Sequence, residues 1–200
     1  MSQTPVKIKR ALISCWRKEQ TIEFARTLCK LGMQILSSGG TASALKKEGI
    51  DVIPLEELTG FSELLSGRVK TLHPNVHASI LARLNDDSDK QDLVKIGVEF
   101  IDLVAVDLYP FPDDVKDGDF PVELIDIGGV ALIRGAAKNF QRVAVVPSAD
   151  HFADVGAELI RSEGVLTLEY RYELAQRAFD LTSNYDRLIS DTFTKLKPNL

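Results

Sequence analysis

Between Arg10 and Leu55 the apolar residues switch back and forth between short continuous runs and a helical repeat. Arg10 to Ser14 is a continuous run, which predicts a buried strand. Ile22, Ala25, Leu28 and Cys29 recur at three- and four-residue intervals. Thr21 to Leu31 therefore predicts a helix, which Gly32 is suited to end. Met33 to Leu36 predicts the next strand, Ala42 to Glu48 a second helix ended by Gly49, and Val52 to Leu55 a third strand. Strand, helix, strand, helix, strand in this order predicts an α/β domain of three layers, with a mostly parallel sheet and right-handed crossovers.

Beyond Leu55 the pattern is less regular. A long loop runs from Thr59 through a basic turn to Pro74, and Val76 to Arg83 fits either a strand or a helix. Lys90 to Ile96 predicts a helix stopping at Gly97; Ile101 to Leu108 is the strongest central strand; Val130 to Lys138 is a helix and Val143 to Val146 a strand. From Ala149 onward helical spacing dominates, over Ala149 to Arg161 and Thr167 to Lys195. The expectation is one domain, with an α/β core over 1–147 and a helical tail over 148–200 packed on the core or on a partner subunit.

Composition narrows the function classes. At 44% apolar residues and a formal charge of −5, the chain can bury a core but lacks the basic excess of a nucleic-acid surface. There is no run of some 18 apolar residues, and Met1 to Lys9 has no apolar stretch resembling a signal peptide, so a cytoplasmic protein is expected. Cys15 and Cys29 are too few and too far apart for a metal knuckle or a disulfide framework and read as reduced, buried thiols. His73 and His77 stand four apart, but Pro74 interrupts the helix that such a pair would need and the remaining histidine is His151; no metal site is expected.

Ligands of open α/β sheets bind beyond the carboxyl ends of the strands. Five polar segments are predicted there: Cys15 to Lys18, Ser37 to Thr41, Arg68 to Thr71, Asp107 to Tyr109 and Asp126 to Gly129. Ser38-Gly39-Gly40-Thr41 opens a helix, so backbone N–H groups, hydroxyls and the helix dipole can cradle a phosphate; the plain alternative is a tight turn. In Gly67-Arg68-Val69-Lys70-Thr71-Leu72-His73-Pro74, Arg68 and Lys70 project to one side of an extended segment with the Thr71 hydroxyl beside them. Asp126 fits a helix N-cap as well as a functional carboxylate. Lys138 lies near a helix C-terminus, where the dipole favours a cation in any case. Tyr109, before Pro110, also fits simple packing. Neither a Ser-His-Asp arrangement nor G-x-x-x-x-G-K-[ST] nor G-x-G-x-x-G occurs, which disfavours an NTPase or a dehydrogenase.

Taken together, Lys18, Ser38 to Thr41, Thr59-Gly60-Phe61, Gly67 to Pro74, Asp107-Leu108-Tyr109-Pro110-Phe111, Asp126 to Gly129 and Arg134-Gly135-Ala136-Ala137-Lys138-Asn139 resemble the inosine monophosphate (IMP) cyclohydrolase domain of the bifunctional AICAR transformylase/IMP cyclohydrolase family. The resemblance runs in order over essentially the whole chain. It implies a methylglyoxal-synthase-like fold and ring closure of FAICAR (5-formamido-imidazole-4-carboxamide ribotide) to IMP and water, without metal or organic cofactor. By the same resemblance, Lys18, Ser38, Gly39, Gly40, Thr41 and Arg68 would hold the 5′-phosphate. Lys70, Thr71, Asp107, Tyr109, Asp126, Ile127 and Gly128 would surround the base, with Lys70, Tyr109 and Asp126 taking part in catalysis and Lys138 as proton donor or acceptor. The chain ends at Leu200, so it resembles a stand-alone cyclohydrolase that leaves room for a separate AICAR transformylase chain, and its apolar helical tail suggests a homodimer. A nucleotide-sensing regulatory module of the same fold is the alternative; methylglyoxal synthase itself fits less of the chain.

Two segments depart from the family's pattern. Its first loop usually reads S-V-S-D-K-T-G, where this chain has Ser14-Cys15-Trp16-Arg17-Lys18-Glu19-Gln20. Where the family commonly has Asn before Leu-Tyr-Pro-Phe, this chain has Asp107, which when ionised only accepts hydrogen bonds.

Overall fold

The computed structural model describes residues 5–61, 65, 68–69, 71–112, 114–115 and 120–196. A parallel sheet is built from β2 (Arg10–Cys15), β3 (Gln34–Ser37), β4 (Ile53–Pro54), β5 (Leu103–Asp107) and β6 (Ala144–Val146), in the order β4-β3-β2-β5-β6. All five residues of β5 and all but one of β2 are buried, as expected for central strands covered by helices on both faces. One layer holds α1 (Lys18–Lys30), α2 (Gly39–Lys47) and α7 (Phe152–Arg161). The other is organised on α6 (Gly128–Lys138), which packs on β5 and β6 and against α4 (Pro74–Leu81) and α8 (Leu168–Lys195). This is the α/β architecture with a mostly parallel sheet that the alternating pattern predicts.

Most differences from the sequence expectation lie at element boundaries. The first helix begins three residues earlier than apolar spacing suggests, because its opening turn is polar and faces solvent. The ambiguous segment after the long loop is the helix α4: Pro74 occupies its first position and His73 Nδ1 accepts the Asn75 N–H at 3.1 Å. Gly32, Gly49 and Gly97, each placed at a predicted helix end, have φ of +75°, +72° and +72°, which side-chain-bearing residues rarely adopt. The segment Asp87–Ile96 forms α5, and Leu55–Thr59 forms the short α3 after β4.

The tail is not purely helical. β7 (Val165–Leu166) returns to pair antiparallel with β1 (Val6–Lys7) near the chain's start. Helix α8 lies along α6 and β6. It is tied down by Arg171, fully buried, whose guanidinium donates to the carbonyls of Phe140 (2.9 Å), Gln141 (2.8 Å) and Leu166. Arg142 does the same at the amino-terminal edge of the sheet, donating to the Ser79, Ile80, Ala82 and Ile101 carbonyls and to Asp102. Both guanidinium groups replace lost water with carbonyl acceptors, which is what makes their burial tolerable.

Candidate active site

Chain order and strand order together locate the site. From β2 the chain moves to β3 and β4 on one side, and later to β5 and β6 on the other, so the direction of winding reverses between β2 and β5. Beyond the carboxyl ends of strands at such a switch point lies the crevice where open α/β sheets bind ligands. Here Cys15 and Asp107 are register partners, and Trp16, Arg17, Leu108 and Tyr109 leave the sheet side by side.

On the β2 side, the Thr41 hydroxyl accepts the Cys15 N–H at 3.2 Å and donates to the Cys15 carbonyl at 3.0 Å, tying the first loop to the start of α2. The Lys18 ammonium donates to the same carbonyl and to Thr41 Oγ1. Ser38 is the N-cap residue of α2, Gly39 has φ +54°, and a Cβ at Gly40 would meet nothing within 4 Å. The start of α2 thus offers open backbone at a helix N-terminus, flanked by Lys18 and Thr41, an arrangement suited to an anion. Burial pushes the Cys15 thiol up to about 12, so it is a packing group and not a nucleophile.

On the β5 side, Ile127 is the N-cap residue of α6, and Asp126, one position before it, accepts the Gly129 N–H through Oδ1 at 2.7 Å. A Cβ on Gly129 would lie 2.6 Å from Asp126 Oδ2 and 2.7 Å from Leu108 Cδ2, so only glycine lets the helix start close to the end of β5. A Cβ on Gly128 would lie 2.3 Å from Thr71 Oγ1, which places the Thr71 hydroxyl directly over the first turn of α6. Burial lowers the pKa of His77, and its imidazole also hydrogen-bonds the Thr71 backbone. Ile127 is exposed beside Asp126. Arg68 is exposed and paired with Glu123, which holds its guanidinium above the usual arginine range. Lys70 and Gly67 lie outside the described residues.

Two expected site residues are placed differently. Asp107 is only 6% exposed, and it is engaged from within the protein: it accepts the Arg17 N–H at 3.0 Å, the Arg17 Nη2–H at 2.7 Å and the Ala149 N–H at 3.1 Å. The same guanidinium reaches Ser148 Oγ at 2.9 Å and Asp150, and the Arg17 contact holds the Asp150 carboxyl below its ordinary value. Arg17, from the first departing segment, and Asp107, the second departure, are thus partners of each other, and the Asp107 carboxylate is taken up within the protein. Lys138, the last residue of α6, is ten residues beyond Gly128, or about 15 Å along the helix. It stands at the opposite edge of the sheet, bordering a cleft with Arg83, Asp89 and Asp92. One chain does not bring it to Asp126.

Several residues of this edge escaped sequence reasoning. The Tyr185 hydroxyl, from α8, accepts the Asp126 N–H at 2.8 Å and donates to the Leu124 carbonyl at 3.1 Å, holding the loop before α6. Glu123, Ser148 and Asp150 act through partners distant in sequence. Trp16 meets Tyr109 with ring centroids 4.8 Å apart and planes tilted by 50°. No local spacing announces any of them.

Among known proteins, residues 20–131 match the model of the MGS-like domain and residues 136–199 that of the AICARFT/IMPCHase bienzyme. The chain is 44% identical over 197 residues to the bifunctional purine biosynthesis protein PurH of Neisseria meningitidis serogroup C, covering 96% of this chain and 38% of that protein. It is 47% identical over 191 residues to the PurH of Aquifex aeolicus, covering 94% of this chain and 37% of that protein. It thus spans well under half the length of these relatives. The crystal structure of ForH superposes with a TM-score of 0.84 at 33% identity, covering 93% of this chain and 99% of that one. With its parallel sheet, a match to the MGS-like model over more than half of its length and a close structural neighbour at 33% identity, the chain belongs to the MGS-like domain family, and its segment 136–199 is similar to the AICARFT/IMPCHase bienzyme.

Proposed function

We propose that the chain is an IMP cyclohydrolase, closing FAICAR to IMP and water in purine biosynthesis in the cytoplasm. The observation that carries this reading is the convergence of two helix starts, α2 with Lys18 and α6 with Asp126 and Thr71, at the switch point between β2 and β5. The α2 start suits the 5′-phosphate, with Lys18, Ser38, Gly39, Gly40 and Thr41 around it and Arg68 as a further cation. The α6 start, with Thr71, Asp126, Ile127, Gly128 and Tyr109, suits the base. Relatives named as purine biosynthesis proteins support the same assignment.

In the reaction the carboxamide nitrogen attacks the formyl carbon of the same molecule, forming the C–N bond. The carboxamide nitrogen gives up one of its two protons, the formamide nitrogen gives up its own as the ring C=N bond forms, and the formyl oxygen leaves with both as water. The substrate supplies proximity, so the protein's task is to hold both groups in the reactive rotamer. N–H groups at the α6 start, the Thr71 hydroxyl and the Tyr109 phenol are suited to the charge that grows on the formyl oxygen, a contribution of a few kcal/mol in such sites. An amide nitrogen is too weak an acid to be deprotonated outright, so proton removal accompanies attack, and Asp126 at the α6 start is the carboxylate assigned to that step. Lys138 cannot serve this edge of its own chain. Its role as proton donor or acceptor is proposed to come from a second copy in a homodimer.

Ultraviolet absorbance on mixing the protein with FAICAR tests the proposal. IMP formation well above the uncatalysed rate, reduced at least ~100-fold by Asp126→Asn, is expected. IMP binding without turnover would sink it and leave a nucleotide-binding module.

A further inference from the structure

The exposed residues at the switch point include two aromatic rings that no structural task accounts for. Trp16, the sole tryptophan of the chain, is 48% exposed, and Tyr109 is 47% exposed; the rings meet at a tilt of 50°. Trp16 directly follows β2 and Tyr109 follows β5 by one residue, so the pair stands over the crevice where the two central strands end.

The indole is held there by the bonds on either side of it. On one side Cys15 is tied through its N–H and carbonyl to Thr41 of the α2 start. On the other, Arg17 is clamped by Asp107, Ser148 and Asp150, and the Trp16 N–H itself donates to the Asp107 carbonyl at 3.0 Å. A loop fastened at both ends around one exposed indole presents a fixed aromatic surface, at a set distance from the phosphate cradle. Flat aromatic faces at the rim of a polar crevice favour planar π-systems, because stacking needs area and orientation but no particular hydrogen-bond pattern.

We infer that Trp16 is a base-stacking residue of this site, forming with Tyr109 the aromatic wall against which the planar heterocycle of a 5′-phosphorylated ribonucleoside rests, with the Arg17–Asp107 pair as its positioning device. The inference rests on the proposed function for the identity of the ligand. It adds a stacking surface to the hydrogen-bonding groups of the proposed base site.

Because the chain has a single tryptophan, its emission reports on Trp16 alone. Titration with IMP is expected to quench or shift that emission saturably, whereas ribose 5-phosphate, which lacks the heterocycle, changes it little. Calorimetry then separates stacking from loop integrity. Trp16→Ala should weaken IMP about tenfold and Trp16→Phe about twofold or less, in keeping with the usual worth of a base–aromatic stack, while both bind ribose 5-phosphate as the native protein does. Circular dichroism confirms that the two variants are folded.

Unchanged IMP affinity in a folded Trp16→Ala protein overturns the inference. So does an equal loss for ribose 5-phosphate, which would mean that the indole supports the loop and not the base. A Trp16→Ala change seen in the sedimentation coefficient but not in IMP affinity overturns it in favour of a protein contact. A native protein that closes FAICAR with the same KM in Trp16→Ala fails the inference alone. A native protein that neither binds IMP nor closes FAICAR fails the proposed function, and the inference with it.

Discussion

A carboxylate at the end of a central strand can face a ligand or fasten the loops around it, and Asp107 does the second. Its acceptors are taken up by Arg17 and by the Ala149 N–H, from segments far apart in sequence. Asp107→Ala should therefore behave as a folding variant. It strands two N–H groups and loosens a guanidinium, at a cost of about 3 kcal/mol, discounted for the part-exposed Arg17. A fall of roughly 6–12 °C in the thermal midpoint is the expected readout. A ligand-contact residue would instead leave the melt unchanged and raise KM. The neighbouring Cys15 makes a separate prediction. Its thiol rises from 9.0 to about 12 on burial, so the unfolded chain loses that proton first as pH climbs. The contribution of the protonated thiol to stability is whole below 9.0 and lost on the way to about 12, and Cys15→Ala should flatten that alkaline limb in denaturant titrations. At neutral pH iodoacetamide should modify the half-buried Cys29 ahead of Cys15, read by mass spectrometry. The sequence shows which residue types stand at the strand ends. It does not show that Arg17 and Asp107 choose each other, because no periodicity encodes a bond across 90 positions.

At the scale of elements, the start of α6 is fitted against its neighbours with no room to spare. Gly128→Ala must push the Thr71 hydroxyl aside, so it should raise KM for FAICAR about tenfold, and Thr71→Ala in the same chain should recover part of the loss by making room. Tyr185→Phe removes both the acceptor for the Asp126 N–H and the donor to the Leu124 carbonyl. Its expected effect is about 1 kcal/mol in stability, with a fall in turnover that outlasts stabilisation by a bound ligand, measured by melts and rates in parallel. Most helix and strand identities were legible because one-sided burial imposes a 3.6-residue period on helices and burial on both faces turns the central strands into continuous apolar runs. The glycine-opened starts of α2 and α6 were legible because glycine tolerates the positive φ of Gly39 and the close approach at Gly128 and Gly129. The bond from α8 back to the Asp126 loop was not. Tyr185 looks like any half-buried tyrosine of an amphipathic helix until the helix is laid against α6.

For the whole molecule, the order β4-β3-β2-β5-β6 decides where chemistry can gather, and the alternation of strand and helix was enough to predict that such an edge exists. Which polar segments reach it followed for most of them. For Lys138 the position at a helix C-terminus already argued for the other edge, since ten helical residues span about 15 Å and a lysine side chain spans well under half of that. The separation of Asp126 and Lys138 at the two ends of α6 sets a rule of inheritance between subunits. In a homodimer whose sites combine Asp126 of one copy with Lys138 of the other, chains carrying only Asp126→Asn and chains carrying only Lys138→Ala are each silent. When they are mixed and allowed to exchange, about one quarter of the sites become whole again. Recovery of about a quarter of native activity would show that each chain lends its neighbour a proton carrier, and continued silence would remove Lys138 from the chemistry.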